Sequence, residues 1–183
     1  MSYEEALAKA WLDLGQATQE KRFSIRLLSD EYDVDVENNR VLSLACNVAA
    51  KDHISILILH YLIKKLKGLA SVKNKWISFR ELPGGEGYFA AFKKRVIEPI
   101  VRKYGPNPGA LLDLPKRFKA KRAEMAQAVV ELDVFENVPF LISVEPKDEE
   151  FSASANISFD ENIKDIFCTE DAVVLAEFVA RQI

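Results

Sequence analysis

The chain has 183 residues and a mass of 20.7 kDa, is 49% hydrophobic and 29% charged, and contains seven Gly and seven Pro, which excludes a disordered or collagen-like chain. Its length and composition predict one α+β domain spanning residues 1–183, with mainly antiparallel sheet packed on a central buried helix and four or so further helices. A pI near 5.6 argues against nucleic acid as a partner, although ten Lys or Arg against Glu98 and Asp113 make residues 91–122 +8 and leave the remainder at −11.

Ser2 and Glu5 have the spacing of a capping box, and Leu7, Ala10, Trp11 and Leu14 follow at helical intervals, predicting an amphipathic helix over 3–18. The runs Phe23 to Leu28, Tyr32 to Val36 and Val41 to Leu44 alternate or are β-branched, with Asn38-Asn39 between the last two. They read as a hairpin or three-stranded meander. Asp52 is placed to cap a predicted helix over residues 53–67, apolar nearly all round in its first ten residues and ending in Lys64, Lys65 and Lys67 with Gly68 beyond. Such a helix must be covered on several sides, so it is expected to be the spine of the core. Its apolar stretch from Ile54 to Ile63 is about half of the roughly 20 residues a bilayer span needs, so no membrane association is expected.

Trp76 to Leu82 reads as a strand closed by Pro83-Gly-Gly-Glu-Gly87, and a helix toward Tyr104 follows, with Pro99 expected to kink or divide it. Ala110 to Gln127 is a basic helix candidate. Val129 to Phe135 and Pro139 to Val144 read as buried strands joined at Glu136-Asn137, and Phe151 to Phe159 as an edge strand. Thr169 is placed to cap a last helix opening with Glu170 and Asp171.

Cys46 and Cys168 lie far apart and outside any C-x-x-C pair, so neither a disulfide framework nor a thiolate metal site is expected. With an acidic N-terminus in place of a signal peptide, this suits a reducing, cytoplasmic location. His53 and His60 stand seven residues apart, about 10 Å along one helix, too far to share a metal. His60, a polar ring in an apolar run, requires a hydrogen-bond partner and is either structural or a ligand or proton-transfer group. Arg80, Glu81, Gly84, Gly85 and Tyr88 form a loop before a helix, where backbone N–H groups can receive an anion or simply make a tight turn. It matches neither phosphate-loop pattern. Asp148, Glu150 and Asp160 belong to acidic clusters that serve as solvated turns or, if they converge, as acid–base groups.

Three stretches stand in order along the chain: Ile58-Leu-His-Tyr-Leu62; Trp76-Ile-Ser-Phe-Arg-Glu-Leu-Pro-Gly-Gly85 with Tyr88 and Phe92; and Asp148-Glu-Glu-Phe151 through Asp160 to Thr169-Glu-Asp171. In their order and spacing the chain resembles an uncharacterised domain-of-unknown-function family of anaerobic bacteria and archaea. The resemblance covers most of the chain from about residue 20 and includes members fused to an N-terminal iron–sulfur module. It implies a redox or corrinoid-type partner protein and no particular catalytic residue. A departure is the Lys/Arg-rich Pro115 to Arg122, where the family has a glycine-containing segment.

Together these features lead to an accessory or binding domain for a small anionic ligand, cofactor-bearing protein or partner subunit. Its site is framed by His60, Arg80, Glu81, Gly84, Gly85, Tyr88, Asp148, Glu150 and Asp160. The alternatives are a small hydrolase or isomerase using these carboxylates with His60, and a homo-oligomeric structural protein. The cofactor is unknown.

Overall fold

Ser2 starts the first helix as its spacing requires: its Oγ accepts from the Glu5 N–H at 3.2 Å and the Glu5 carboxylate accepts from the Ser2 N–H at 2.8 Å. The structure is a computed structural model that describes residues 2–123 and 128–183. The chain divides into two units, Met1–Ala70 and Ser71–Ile183. Both mix helix with antiparallel sheet, which is the α+β class expected.

In the first unit, helix α1 (Tyr3–Ala17) precedes a meander of β1 (Arg22–Leu27), β2 (Asp30–Asp35), β3 (Arg40–Ser43) and β4 (Val48–Ala49), paired in that order. The expected three strands are extended by a short fourth. Alternation puts one face inward, with Ile25, Tyr32 and Ser43 in one cross-strand row and Phe23, Val34 and Val41 in the next. Asn39 and Asn47 take positive φ at the turns, a conformation Asn tolerates. Helix α2 (Asp52–Leu66) follows, packed by α1 and β1. Every residue from Ile54 to Leu59 is buried, and so are Tyr61, Leu62 and Ile63, as an all-round apolar helix requires. Asp52, however, is the first helical residue; the N-cap is Lys51, which offers no side-chain acceptor.

In the second unit, β5 (Trp76–Ser78) leads through a 3-10 turn, Phe79–Glu81, into α3 (Gly85–Phe92). The strand expected to Leu82 stops after three residues because Phe79 turns inward to stack on Phe92 at 4.1 Å between ring centroids. The helix continues through a π-turn, Lys93–Ile97, into α4 (Glu98–Tyr104). Pro99 accounts for the π-turn: it has no N–H for the Arg95 carbonyl and its ring crowds that group, so the preceding turn widens.

The basic helix expected over Ala110 to Gln127 is not formed among the described residues. A 3-10 segment, Pro108–Lys116, contains Pro115, and the chain then extends as β6 (Ala120–Arg122); residues 124–127 lie outside the described part. The decisive pattern is two-residue: Lys119 and Lys121 point to one side, where they meet Asp133 and Glu131 of β7 (Ala128–Phe135). Strand β8 (Val138–Glu145) follows through Glu136-Asn137, with Asn137 at φ 61°, and then β9 (Ser154–Asp160). The sheet order is β5-β9-β8-β7-β6, so β9 is an interior strand and not the expected edge. Its weak alternation reflects one polar face, Asn156 and Ser158, on a strand paired on both sides.

Helices α5 (Ile163–Ile166) and α6 (Thr169–Gln182) close the unit. The cap of α6 is Cys168, whose Sγ accepts from the Asp171 N–H at 3.5 Å, while the expected cap, Thr169, donates its hydroxyl to the Pro83 carbonyl at 2.7 Å. Phe79, Phe92, Phe140 and Phe159 form the aromatic core where α3 meets the sheet.

A Cβ on Gly85 would lie 2.0 Å from the Phe79 carbonyl oxygen, while one on Gly87 would meet nothing. Gly85→Ala is therefore expected to destabilise by about 3 kcal/mol, and Gly87→Ala to stay within about 0.5 kcal/mol of the parent or gain slightly. Urea midpoints of the two variants check this.

Candidate functional site

Of the nine residues singled out in the sequence, His60 belongs to the first unit and the other eight to the second. His60 is half-buried on α2 and partnered, as its place in an apolar run demands.

Five of the eight come together in the turn between β5 and α3. The Glu81 carboxylate accepts from the Ser78 N–H at 2.7 Å and the Ser78 hydroxyl at 3.0 Å. Those bonds, the backbone one first, hold the carboxyl below its ordinary range. Gly84 sits at φ +73°, and the Gly85 N–H is taken by the Leu82 carbonyl at 2.8 Å. The start of α3 is thus occupied by its own turn. What it presents outward is polar and aromatic: the Arg80 guanidinium lies 3.9 Å over the Phe89 ring and 3.7 Å from the Glu86 carboxylate, and Tyr88 is 61% exposed.

Asp160 is 1% exposed at the end of β9. Its carboxylate accepts the backbone N–H groups of Lys73 at 2.9 Å, Asn162 at 3.0 Å and Lys75 at 3.3 Å. A buried carboxylate with three such donors serves as a clamp, because each bond offsets desolvation. Ion pairs Lys73–Asp165 and Lys75–Glu161, both 2.8 Å, surround it on the exposed side.

Asp148 and Glu150 stand in the β8–β9 loop, at the opposite end of β9 from Asp160, roughly 20 Å away for a seven-residue strand. There Asp148 accepts the N–H groups of Glu150 at 2.9 Å and Phe151 at 2.6 Å. The structure therefore gathers the loop residues, holds Asp160 at one end of the strand, and leaves Asp148 and Glu150 at the other.

A constellation the sequence does not advertise lies in the first unit. Ser43 Oγ donates to Asp30 at 2.5 Å and accepts from the Cys46 thiol at 3.1 Å, while the Ala45 N–H donates to the other Asp30 oxygen at 3.1 Å. Tyr32 lies in the same cross-strand row as Ser43, and burial, then the Asp30 charge, pushes its phenol up to about 12. The residues span 30–46 with no recurring spacing; only the strand register joins them. In the second unit an open groove of about 350 Å³ is lined by Val72, Asn137 and Pro139 together with the cross-strand ion pairs Lys119–Asp133 and Lys121–Glu131. Glu136 lines it as well, so two lysines face three carboxylates there. Among the described residues, no three His, Cys, Asp or Glu side chains converge as metal ligands, and no helix is long and apolar enough to cross a membrane.

Asp160→Ala is expected to lower unfolding free energy by about 3 kcal/mol, since three donors lose their acceptor, and Asp160→Asn by less because one carbonyl oxygen remains. Chemical denaturation measures both. Asp35 is held low like Glu81, by the Asn38 side-chain amide first, then its N–H, then Arg22 and Arg40. A carboxyl whose folded pKa lies below its unfolded one stabilises above the unfolded value, and that stabilisation is lost as pH falls through the folded one. Melting temperature is therefore expected to fall as pH drops below about 4.5, and Glu81→Gln to flatten part of that slope.

No curated protein and no solved structure matches the chain. The family model described as "Domain of unknown function (DUF3786)" matches residues 6–182. The chain belongs to the DUF3786 family.

Proposed function

We propose that this chain is a non-catalytic accessory domain that docks a partner protein on the turn between β5 and α3. The supporting observation is how that turn is made. Its carboxylate is taken up by Ser78 and its leading N–H by Leu82, whereas Arg80 and Tyr88 face solvent from a backbone held rigid by the Gly85–Phe79 approach. Arg and Tyr on a rigid support are the side chains that most often carry binding energy at protein interfaces, since little entropy is lost in ordering them. The hydrogen bonding weighs against acid–base chemistry: Glu81, Asp148 and Asp160 all accept backbone N–H groups, which a proton-transfer role would have to break. Following the family resemblance, a partner bearing an iron–sulfur or corrinoid group is the first to test.

Immobilised full chain is expected to retain a partner from native lysate. Tyr88→Ala or Arg80→Ala should weaken that retention by about tenfold or more while leaving the far-ultraviolet circular dichroism unchanged; Arg80→Ala also loses its Phe89 and Glu86 contacts, at a cost of about 1 kcal/mol. Retention that is equal for the parent and both variants would reject the turn as the docking site.

A further inference from the structure

Seven of the ten cations in the basic segment form two contrasting groups, while Lys103 and Arg122 donate to the Ile183 and Leu112 carbonyls and Arg117 lies over the Phe118 ring. Lys116, Lys119 and Lys121 are tied to Asp113, Asp133 and Glu131. Lys93, Lys94, Arg95 and Arg102 are exposed on the π-turn and α4, and among the described residues they enter no ion pair. Lys94, Glu98 and Arg102 follow at spacings of four, so they line the exposed side of one continuous helix, with Lys93 and Arg95 flanking.

The same unit carries the opposite charge nearby. A Cβ on Gly105, which caps α4, would lie 3.0 Å from the Ala153 Cβ, so the C-terminal end of the basic helix abuts the chain just after the acidic loop. In that loop Asp148 is turned onto its own backbone, Glu149 and Glu150 are exposed without an ion pair among the described residues, and Phe151 is 68% exposed. Two surfaces of opposite sign thus stand near each other on one compact unit and form no ion pair with each other among the described residues.

We propose that the partner of this surface is a second copy of the chain. A two-fold axis between the ridge and the loop sets the Lys94–Arg102 ridge of each copy against the Glu149–Phe151 loop of the other, so each charge contact occurs twice. Phe151 supplies the apolar anchor that charge pairs alone lack. This inference uses the ridge and the loop, not Arg80 and Tyr88, and stands or falls separately from partner docking at the β5–α3 turn.

Sedimentation velocity of the full chain at about 50 µM is expected to give twice 20.7 kDa in roughly 30 mM salt and one chain in roughly 500 mM salt, where screening removes exposed pairs. The double variants K94E/R95E and E149K/E150K change only exposed side chains. Each alone should sediment as a monomer at low salt, with self-association weakened about tenfold or more, and an equimolar mixture of the two should recover a dimer. A monomer at low salt overturns the proposal, and so does a dimer that neither variant disturbs. Ridge-dependent binding of a single-stranded oligonucleotide by a chain that stays monomeric would also overturn it, by assigning the ridge to nucleic acid.

Discussion

The buried carboxylate of Asp160 constrains most of the second unit. A carboxylate taken out of water must find donors, and the nearest are the N–H groups of Lys73, Lys75 and Asn162. Binding the first two draws the strand opening at Trp76 alongside β9, with Trp76 opposite Asp160 and Ser78 opposite Ser158. The third turns the chain out of β9 toward α5. Once β5 is placed, Phe79 follows it into the aromatic core, and Gly85 must pass so close to the Phe79 carbonyl that no side chain fits. The outward presentation of Arg80 and Tyr88 is a consequence several steps removed from one acidic side chain.

The acidic residues of this unit are used in the same way: their carboxylates accept backbone N–H groups. Carboxylates that accept backbone N–H groups have their lone pairs taken up by the chain itself, which suits turns and caps better than proton transfer. Asp148, Glu81 and Asp160 each do this in a different setting: a loop, a 3-10 turn and the end of an interior strand. The groups left without such a duty are Tyr88, exposed in α3, and the exposed cations Lys93, Lys94 and Arg95 of the π-turn with Arg102 of α4. Pro99 contributes by widening the helix before α4, which changes the angular step along which Lys93, Lys94 and Arg95 emerge.

The Asp30, Tyr32, Ser43 and Cys46 cluster repeats that pattern in the first unit. Its polar groups gather around one cross-strand row of a small meander, where hydrogen bonds to one another replace those lost to water. Cys46 itself remains exposed at the β3–β4 turn.

Sequence alone determined the features that rest on local chemistry. The capping box at Ser2, the all-round apolar α2, the paired strands around Glu136-Asn137 and the break at Pro99 follow from periodicity, caps and backbone restrictions within a few residues. Gly84 and Gly85 were legible as a constrained turn for the same reason. Tertiary structure decided what depends on partners distant along the chain. Lys119 to Arg122 has a composition suited to helix and becomes a strand because Glu131 and Asp133 lie opposite it. β9 is interior because β5, drawn in by Asp160 from some 85 residues away, occupies the edge. Asp148 and Asp160, close in sequence, end far apart because the seven residues of β9 are extended. Composition and spacing record which residues are capable of an interaction; only the register of strands and the need to satisfy buried charge select which of those interactions is made.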